Sequence, residues 1–162
     1  MMPGVIDVHI HGCNGVDFMD ASKEDIKDIA SSLYQEGVTS FLATTLTSDT
    51  QSLEKVCKVI KEAKEEVPSL VGIHFEGPYI NAKYKGAQNP DYVKKPDLSL
   101  LEKCKNVKMI TIAPEVEGGI DFIKNCEAVV AIGHTDATYD VAMEAFRAGA
   151  KCLTHTFNVM PS

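Results

Sequence analysis

The sequence lacks tryptophan, and no apolar run is long enough to span a bilayer as a helix. It has no Cys-x-x-Cys pair. Its five cysteines (Cys13, Cys57, Cys104, Cys126 and Cys152) are odd in number and scattered, which argues against a disulfide framework. Free thiols in a reducing cytoplasm are the expectation. Positive charge is also in deficit. A formal net charge of −7 argues against nucleic acid or an anionic membrane as the main partner. Met1-Met2-Pro3-Gly4 carries no basic n-region and no cleavage site, so no secretory leader is expected. No glycine-rich nucleotide loop occurs, and no serine or cysteine sits beside a base in a catalytic motif, so covalent catalysis has no candidate. What remains is a composition of 44% hydrophobic and 24% charged residues over 162 positions, which suits one folded globular domain.

Apolar strands and amphipathic helices alternate along the chain. Val5-Ile6-Asp7-Val8-His9-Ile10-His11-Gly12 is an alternating run that sets Asp7, His9 and His11 on one face and Val8 and Ile10 on the other. Ser22 caps a helix with the stripe Ile26, Ile29, Ala30 and Leu33, closed by Gly37. Residues 38–45 read as a buried strand, followed by a helix with Leu53, Val56, Cys57 and Ile60 inward, which makes Cys57 a core residue. Residues 70–76, 108–113, 128–132 and 151–158 supply the remaining strands, six in all. Short helices are expected at 98–104 and after Gly118-Gly119. A last helix is capped by Thr138, with the stripe Tyr139, Ala142, Met143 and Phe146. The connection from about residue 79 to 97 is long enough to suggest function. Right-handed βαβ units of this kind build a parallel sheet covered by helices. The fold class is therefore α/β, a TIM-type (β/α) barrel with about six of eight units, and residues 1–162 form one partial barrel domain. The first and last strands should be unpaired edges prone to self-association.

All five histidines (His9, His11, His74, His134 and His155) fall at or just past a strand end. In a parallel sheet those ends share one rim, so the imidazoles converge, and Glu76 shares a strand face with His74. Neutral imidazole with carboxylate suits zinc, iron or a similar divalent ion. His74 has two readings, as a further ligand or as a hydrogen-bonded residue behind the ligands or in packing. Cys13 is better read as a small buried thiol than as a ligand. Asp7 either orients a histidine or accepts backbone hydrogen bonds, and Asp136 belongs to a helix start.

The first strand resembles that of the amidohydrolase superfamily. His74-Phe75-Glu76-Gly77-Pro78, Gly86-Ala87-Gln88-Asn89-Pro90, Gly133-His134-Thr135 and Thr154-His155-Thr156-Phe157-Asn158-Val159-Met160 are similar to its branch of amino-sugar phosphate deacetylases. The resemblance covers essentially the whole chain. It implies that Glu76, His134 and His155 hold a primary metal, and that His9 and His11 hold a second where one exists, zinc or iron in either case. It implies that Ala87, Gln88, Asn158 and Val159 line the substrate site. Two positions depart from the pattern: Gln88 stands where many members have His, and Val159 where many have Ala. The resemblance further implies hydrolysis of the acetamido group of N-acetylglucosamine 6-phosphate to glucosamine 6-phosphate and acetate. The partners it implies are a small-molecule amino-sugar phosphate and, in the complete enzyme, further copies of itself. The family's small β domain, its last two barrel strands and its acid/base aspartate have no counterpart here. The expectation is thus a fragment, inactive alone and with no catalytic residue assigned. Another amidohydrolase acting on a different amide, or a non-catalytic metal-binding remnant, is the alternative.

Overall fold

The computed structural model describes residues 3–161. Strand β1 (Val5–Ile10) ends two residues short of Gly12, because β2 (Gly12–Cys13) and β3 (Val16–Asp17) turn back as a small antiparallel hairpin. Asn14 and Gly15 form its turn, both with positive φ (55° and 80°), the conformation that tight hairpins favour. The expected continuous strand over residues 5–12 is corrected on that point. Helix α1 (Lys23–Gln35) opens on a capping box: the Ser22 side chain accepts from Asp25 N–H, and Asp25 Oδ2 accepts from Ser22 N–H at 2.8 Å. Ile26, Ile29, Ala30 and Leu33 are buried as the stripe predicts. Strand β4 (Val38–Thr45) follows, and then α2 (Thr50–Lys64), capped by Asp49, with Leu53, Val56, Cys57 and Ile60 buried.

Strand β5 (Leu70–Glu76) leads into the long connection. Two 3₁₀ turns (Ala82–Tyr84 and Pro90–Tyr92) give that segment local structure, while Tyr79 and Ile80 anchor it in the core. The remaining elements are α3 (Ser99–Lys103), β6 (Val107–Ile112), α4 (Gly119–Asn125), β7 (Val129–Ile132), α5 (Tyr139–Ala148) and β8 (Cys152–Leu153). Thr138 caps α5, as expected. The apolar stripe assigned to that helix is not buried: Tyr139 and Phe146 are exposed and Ala145 takes the inward position. The reason is position, since α5 precedes the short edge strand β8 and packs chiefly on α4. β8 is also far shorter than residues 151–158, because the chain beyond Leu153 breaks into turns.

The sheet is six-stranded and parallel, in the order β1-β4-β5-β6-β7-β8. Its edges are β1 and β8, as expected. Phe41, Ala43, Ile73, Phe75, Ile110 and Ile112 face the helices and join one large core. Leu42, Met109 and Ala131 form a smaller cluster on the opposite, inner face. That face is concave. Five steps of roughly 4.8 Å would part β1 from β8 by about 24 Å in a flat sheet. Yet the rings of His9, on β1, and His155, just past β8, have centroids 4.9 Å apart. The sheet therefore curls as a partial barrel with its carboxyl-end rim drawn inward.

Candidate metal centre

Glu76 lies at the carboxyl end of β5, near the middle of the curl, with 1% of its surface exposed. Four imidazoles present the same ring nitrogen, Nε2, to its carboxylate. His9 lies 3.4 Å from Oε1, His134 3.1 Å from Oε1 and His11 3.1 Å from Oε2, while His155 also contacts Oε1. His9 and His11 come from β1 and the residue just after it, facing the same way across one intervening residue. His134 and His155 come from the turns after β7 and β8, both in the left-handed region at φ 51° and 52°. Backbone strain of this kind collects at functional sites, where the surroundings must over-determine it. For His134 they do: its Nδ1 donates to Tyr84 O at 2.9 Å and its carbonyl accepts from Asn81 N–H at 2.9 Å.

Burial alone would raise the Glu76 pKa. Hydrogen bonds from His11 and His134, and the charge of His9 and His134, override it and hold the carboxyl far below the usual carboxylate range. The Glu76 hydrogen bond raises the pKa of His11, whereas burial lowers that of His9 despite the same carboxylate. His9 Nε2 and His11 Nε2 face each other at 3.3 Å. Two imidazole lone pairs at that separation repel unless a proton or a cation lies between them. The donor set fits a divalent cation on this ground. The potential ligand atoms of His9, Glu76 and His155 also lie within 4.8 Å of one another.

His74 does not join the ring of contacts around Glu76. It is fully buried beneath His9, with Nδ1 on Val8 O at 2.9 Å and Nε2 on Thr111 Oγ1 at 2.7 Å. Burial, reinforced by the charge of His9, pushes its pKa down to about 4, so the ring is neutral. Both ring nitrogens of His74 are taken up by Val8 O and Thr111 Oγ1, which places it behind or packed against the candidate ligands and not among them. Cys13 packs against the hydrophobic core from the small hairpin. Asp7 Oδ1 accepts His9 N–H at 3.0 Å, so its role is to fix the backbone before the first histidine. Asp136 pairs with Lys83 at 2.7 Å, outside the cluster.

Ala87, Gln88, Asn158 and Val159 line a cavity of about 340 Å³ together with His11, Glu76, His134 and His155. That volume is in the range of small-molecule sites. Gln88 is buried and its amide is already committed: Nε2 donates to Glu76 Oε2 at 2.7 Å and Oε1 accepts Thr47 N–H at 2.6 Å. Val159 is itself in the left-handed region, at φ 48°, and its carbonyl accepts Thr135 N–H at 3.2 Å. Several supporting residues escaped sequence reasoning. Thr47 Oγ1 donates to Glu76 O at 3.3 Å, and it does so across Gly77 (φ 84°), where a Cβ would lie 2.1 Å from Thr47 Oγ1. Glu115 ties three loops together, accepting from Asn81 Nδ2, Asp136 N–H and the Thr135 hydroxyl. No motif marks these residues. The one available signal was their place just past strand ends.

A parallel βα sheet curled until strand-end histidines gather on one carboxylate defines a (β/α)-barrel protein with a metal-type site at its carboxyl-end rim. The amidohydrolase family model matches residues 1–161, and the chain belongs to that family. It is 37% identical over 174 residues to the N-acetylglucosamine-6-phosphate deacetylase of Bacillus subtilis (strain 168), covering 99% of this chain and 44% of that protein. It is 36% identical over 171 residues to the enzyme of the same name from Lysinibacillus sphaericus, again covering 99% and 44%. Among solved structures, it matches an aspartate-to-alanine mutant of N-acetyl-D-glucosamine-6-phosphate deacetylase from Mycobacterium smegmatis, in complex with N-acetyl-D-glucosamine-6-phosphate. The TM-score is 0.92 and the identity 32%, over 98% of this chain and 44% of that one. The chain thus spans somewhat under half the length of the relatives it matches. Among the described residues, no helix is long and apolar enough to cross a membrane.

Proposed function

We propose that this chain carries the metal-binding half of an enzyme that hydrolyses the acetamido group of N-acetylglucosamine 6-phosphate, giving glucosamine 6-phosphate and acetate. The observation that supports it best is the gathering of four imidazole Nε2 atoms on Glu76 at the wall of a small-molecule cavity. His9, His11, Glu76, His134 and His155 are the proposed ligands, and nitrogen with carboxylate oxygen suits zinc or iron. A divalent cation held there supplies a Lewis acid for the amide carbonyl and makes water acidic enough to ionise near neutral pH. Glu76 supplies the negative charge that holds the cation. Each histidine must release any Nε2 proton to bind. Gln88 holds Glu76 Oε2 in place from the loop side. Ala87, Asn158 and Val159 form the wall against which the sugar is positioned, and good positioning is worth a large share of an enzymatic barrier. No residue of this chain is assigned the proton transfer to the departing amine. In the cell the proposed partners are the amino-sugar phosphate and further copies of the enzyme.

The test is saturation-transfer NMR on the zinc-loaded chain with N-acetylglucosamine 6-phosphate, run beside an assay for released acetate. The expected result is transfer to the acetamido methyl that is lost in His134→Gln. Failure of the chain to take up zinc, or equal transfer in His134→Gln, would refute the assignment. Acetate release at an enzyme-like rate would show that the proton donor lies within this chain.

A further inference from the structure

Beneath the metal centre, the inner face of the sheet carries a chain of polar groups that the reading above leaves unused. Val8 O on β1 faces His74 Nδ1 on β5 at 2.9 Å, His74 Nε2 faces Thr111 Oγ1 on β6 at 2.7 Å, and Thr111 Oγ1 faces Thr154 Oγ1, just past β8, at 2.8 Å. The three side chains are buried. The direction of every bond follows from its fixed end. A carbonyl only accepts, so His74 Nδ1 carries the proton. A neutral imidazole has one N–H, so Nε2 is a lone pair and the Thr111 hydroxyl donates to it. With its proton committed, Thr111 accepts from Thr154. Gly133 makes the last contact sterically possible, since a Cβ there would lie 2.8 Å from Thr154 Cβ and 2.9 Å from Thr111 Cγ2.

Both ends of this chain adjoin proposed ligands. Val8 precedes His9 and Thr154 precedes His155, and the His74 ring meets the His9 ring edge-on, with centroids 4.8 Å apart at 89°. No ladder hydrogen bond joins β1 to β8, which lie at opposite edges of the sheet. The pairing of β1 with β4 is itself irregular between Asp7 and Ile10, where Val8 sits. The curl brings His9 and His155 together, but no ladder hydrogen bond fixes the distance between them directly. We propose that His74, Thr111 and Thr154 are positioning residues. They form a one-directional hydrogen-bond belt across the inside of the curl, from β1 to β8, that holds His9 and His155 at the separation a shared divalent cation needs. The inference rests on the metal reading above.

The belt is tested on the whole chain with cobalt(II) as the probe. Long-range ¹H–¹⁵N correlation of the metal-free protein should show His74 protonated on Nδ1; protonation on Nε2 would overturn the belt. Thr111→Val removes the middle link at nearly constant volume. It should weaken cobalt(II) affinity roughly 10–100-fold, the usual effect of losing a group that orients metal ligands, and alter the visible absorption bands. Thr111→Ser should restore both. Thr45→Val is the control, because Thr45 is equally buried and its hydroxyl has no partner among the described residues. It should leave cobalt(II) affinity unchanged. If Thr111→Val does not fold, Thr154→Val breaks the belt at its outer link and is read the same way. Wild-type affinity, within twofold, in these belt variants would refute the belt while leaving the metal centre standing. Failure of the wild-type chain to bind cobalt(II) would refute the metal centre instead.

Discussion

The middle and the edges of the sheet are built differently, and the candidate site draws on both. In β5 every residue but Val71 is buried, and β4 and β6 are buried through their carboxyl-terminal halves. At the edges, β1 has no fully buried residue, β8 is two residues long, and Val5, Ile6, Val8 and Leu153 are exposed. The carboxylate comes from the middle, where neighbours on both sides fix it. Three of its four imidazole partners, His9, His11 and His155, come from the edges, where the ladder constrains them on one side only. A cation shared by these groups would tie the least stable parts of the sheet to the most stable one.

That contrast is sharpest at the proposed ligands. Glu76→Gln removes the one negative charge that all four histidines face, and should abolish measurable cobalt(II) binding. His9→Gln removes one neutral donor from an edge and should leave weakened but detectable binding in isothermal titration. Equal losses in the two variants would erase the distinction. The next effect concerns stability. Ile73→Ala empties a fully buried position in β5 and should cost about 2–5 kcal/mol in urea unfolding, while Val8→Ala, half-exposed on β1, should cost less than about 1 kcal/mol.

A comparable swing should appear with pH. His74 is kept neutral by burial, its pKa falling from 6.5 to about 4. Between those values the unfolded chain binds a proton that the folded chain refuses. The stabilising contribution is therefore complete above about pH 6.5 and is lost as the pH falls towards 4, about 3 kcal/mol in all. His9, also depressed, acts in the same sense. His11, whose pKa is raised, acts in the opposite one, contributing below 6.5 and losing its contribution as pH rises through its folded value. His74→Asn should flatten the slope between pH 6.5 and 4 in denaturant unfolding; an unchanged slope would mean that the burial of His74 is not its source. The smallest effect tests the tie between edge and middle. Zinc at a hundred times its Kd should add about 2.7 kcal/mol to global stability. Hydrogen exchange should slow more in β1 and around residues 152–159 than in β5, and uniform slowing would break the comparison.

Much of this was legible in the residues because it depends on short-range periodicity. The alternation of β1 set His9 and His11 on one face, Ser22 and Thr138 announced their helices, and the apolar stripes of α1 and α2 named residues that are in fact buried. Strand-end placement was enough to expect the five proposed ligands on one rim. The stripe on α5 misled, since periodicity says which face is apolar but not whether anything covers it. The hairpin after β1 was missed although Asn14-Gly15 signals one, because strands of two residues show no alternation.

What the sequence by itself determined is the order of the elements, their inward faces and the rim on which the histidines stand, all consequences of local backbone geometry and hydrophobic patterning. The tertiary structure alone decided which atoms meet there. Only the curl brings His155 to His9 across the full width of the sheet. Only packing shows that the Gln88 amide is held between Thr47 and Glu76, and that His74 reaches back to Val8 and on to Thr111 and Thr154. The hydrogen bonds among these residues join positions 12 to 66 apart, and the His9–His155 approach spans far more of the chain. They depend on the summed twist and closure of six strands, a quantity to which no single stretch of residues corresponds.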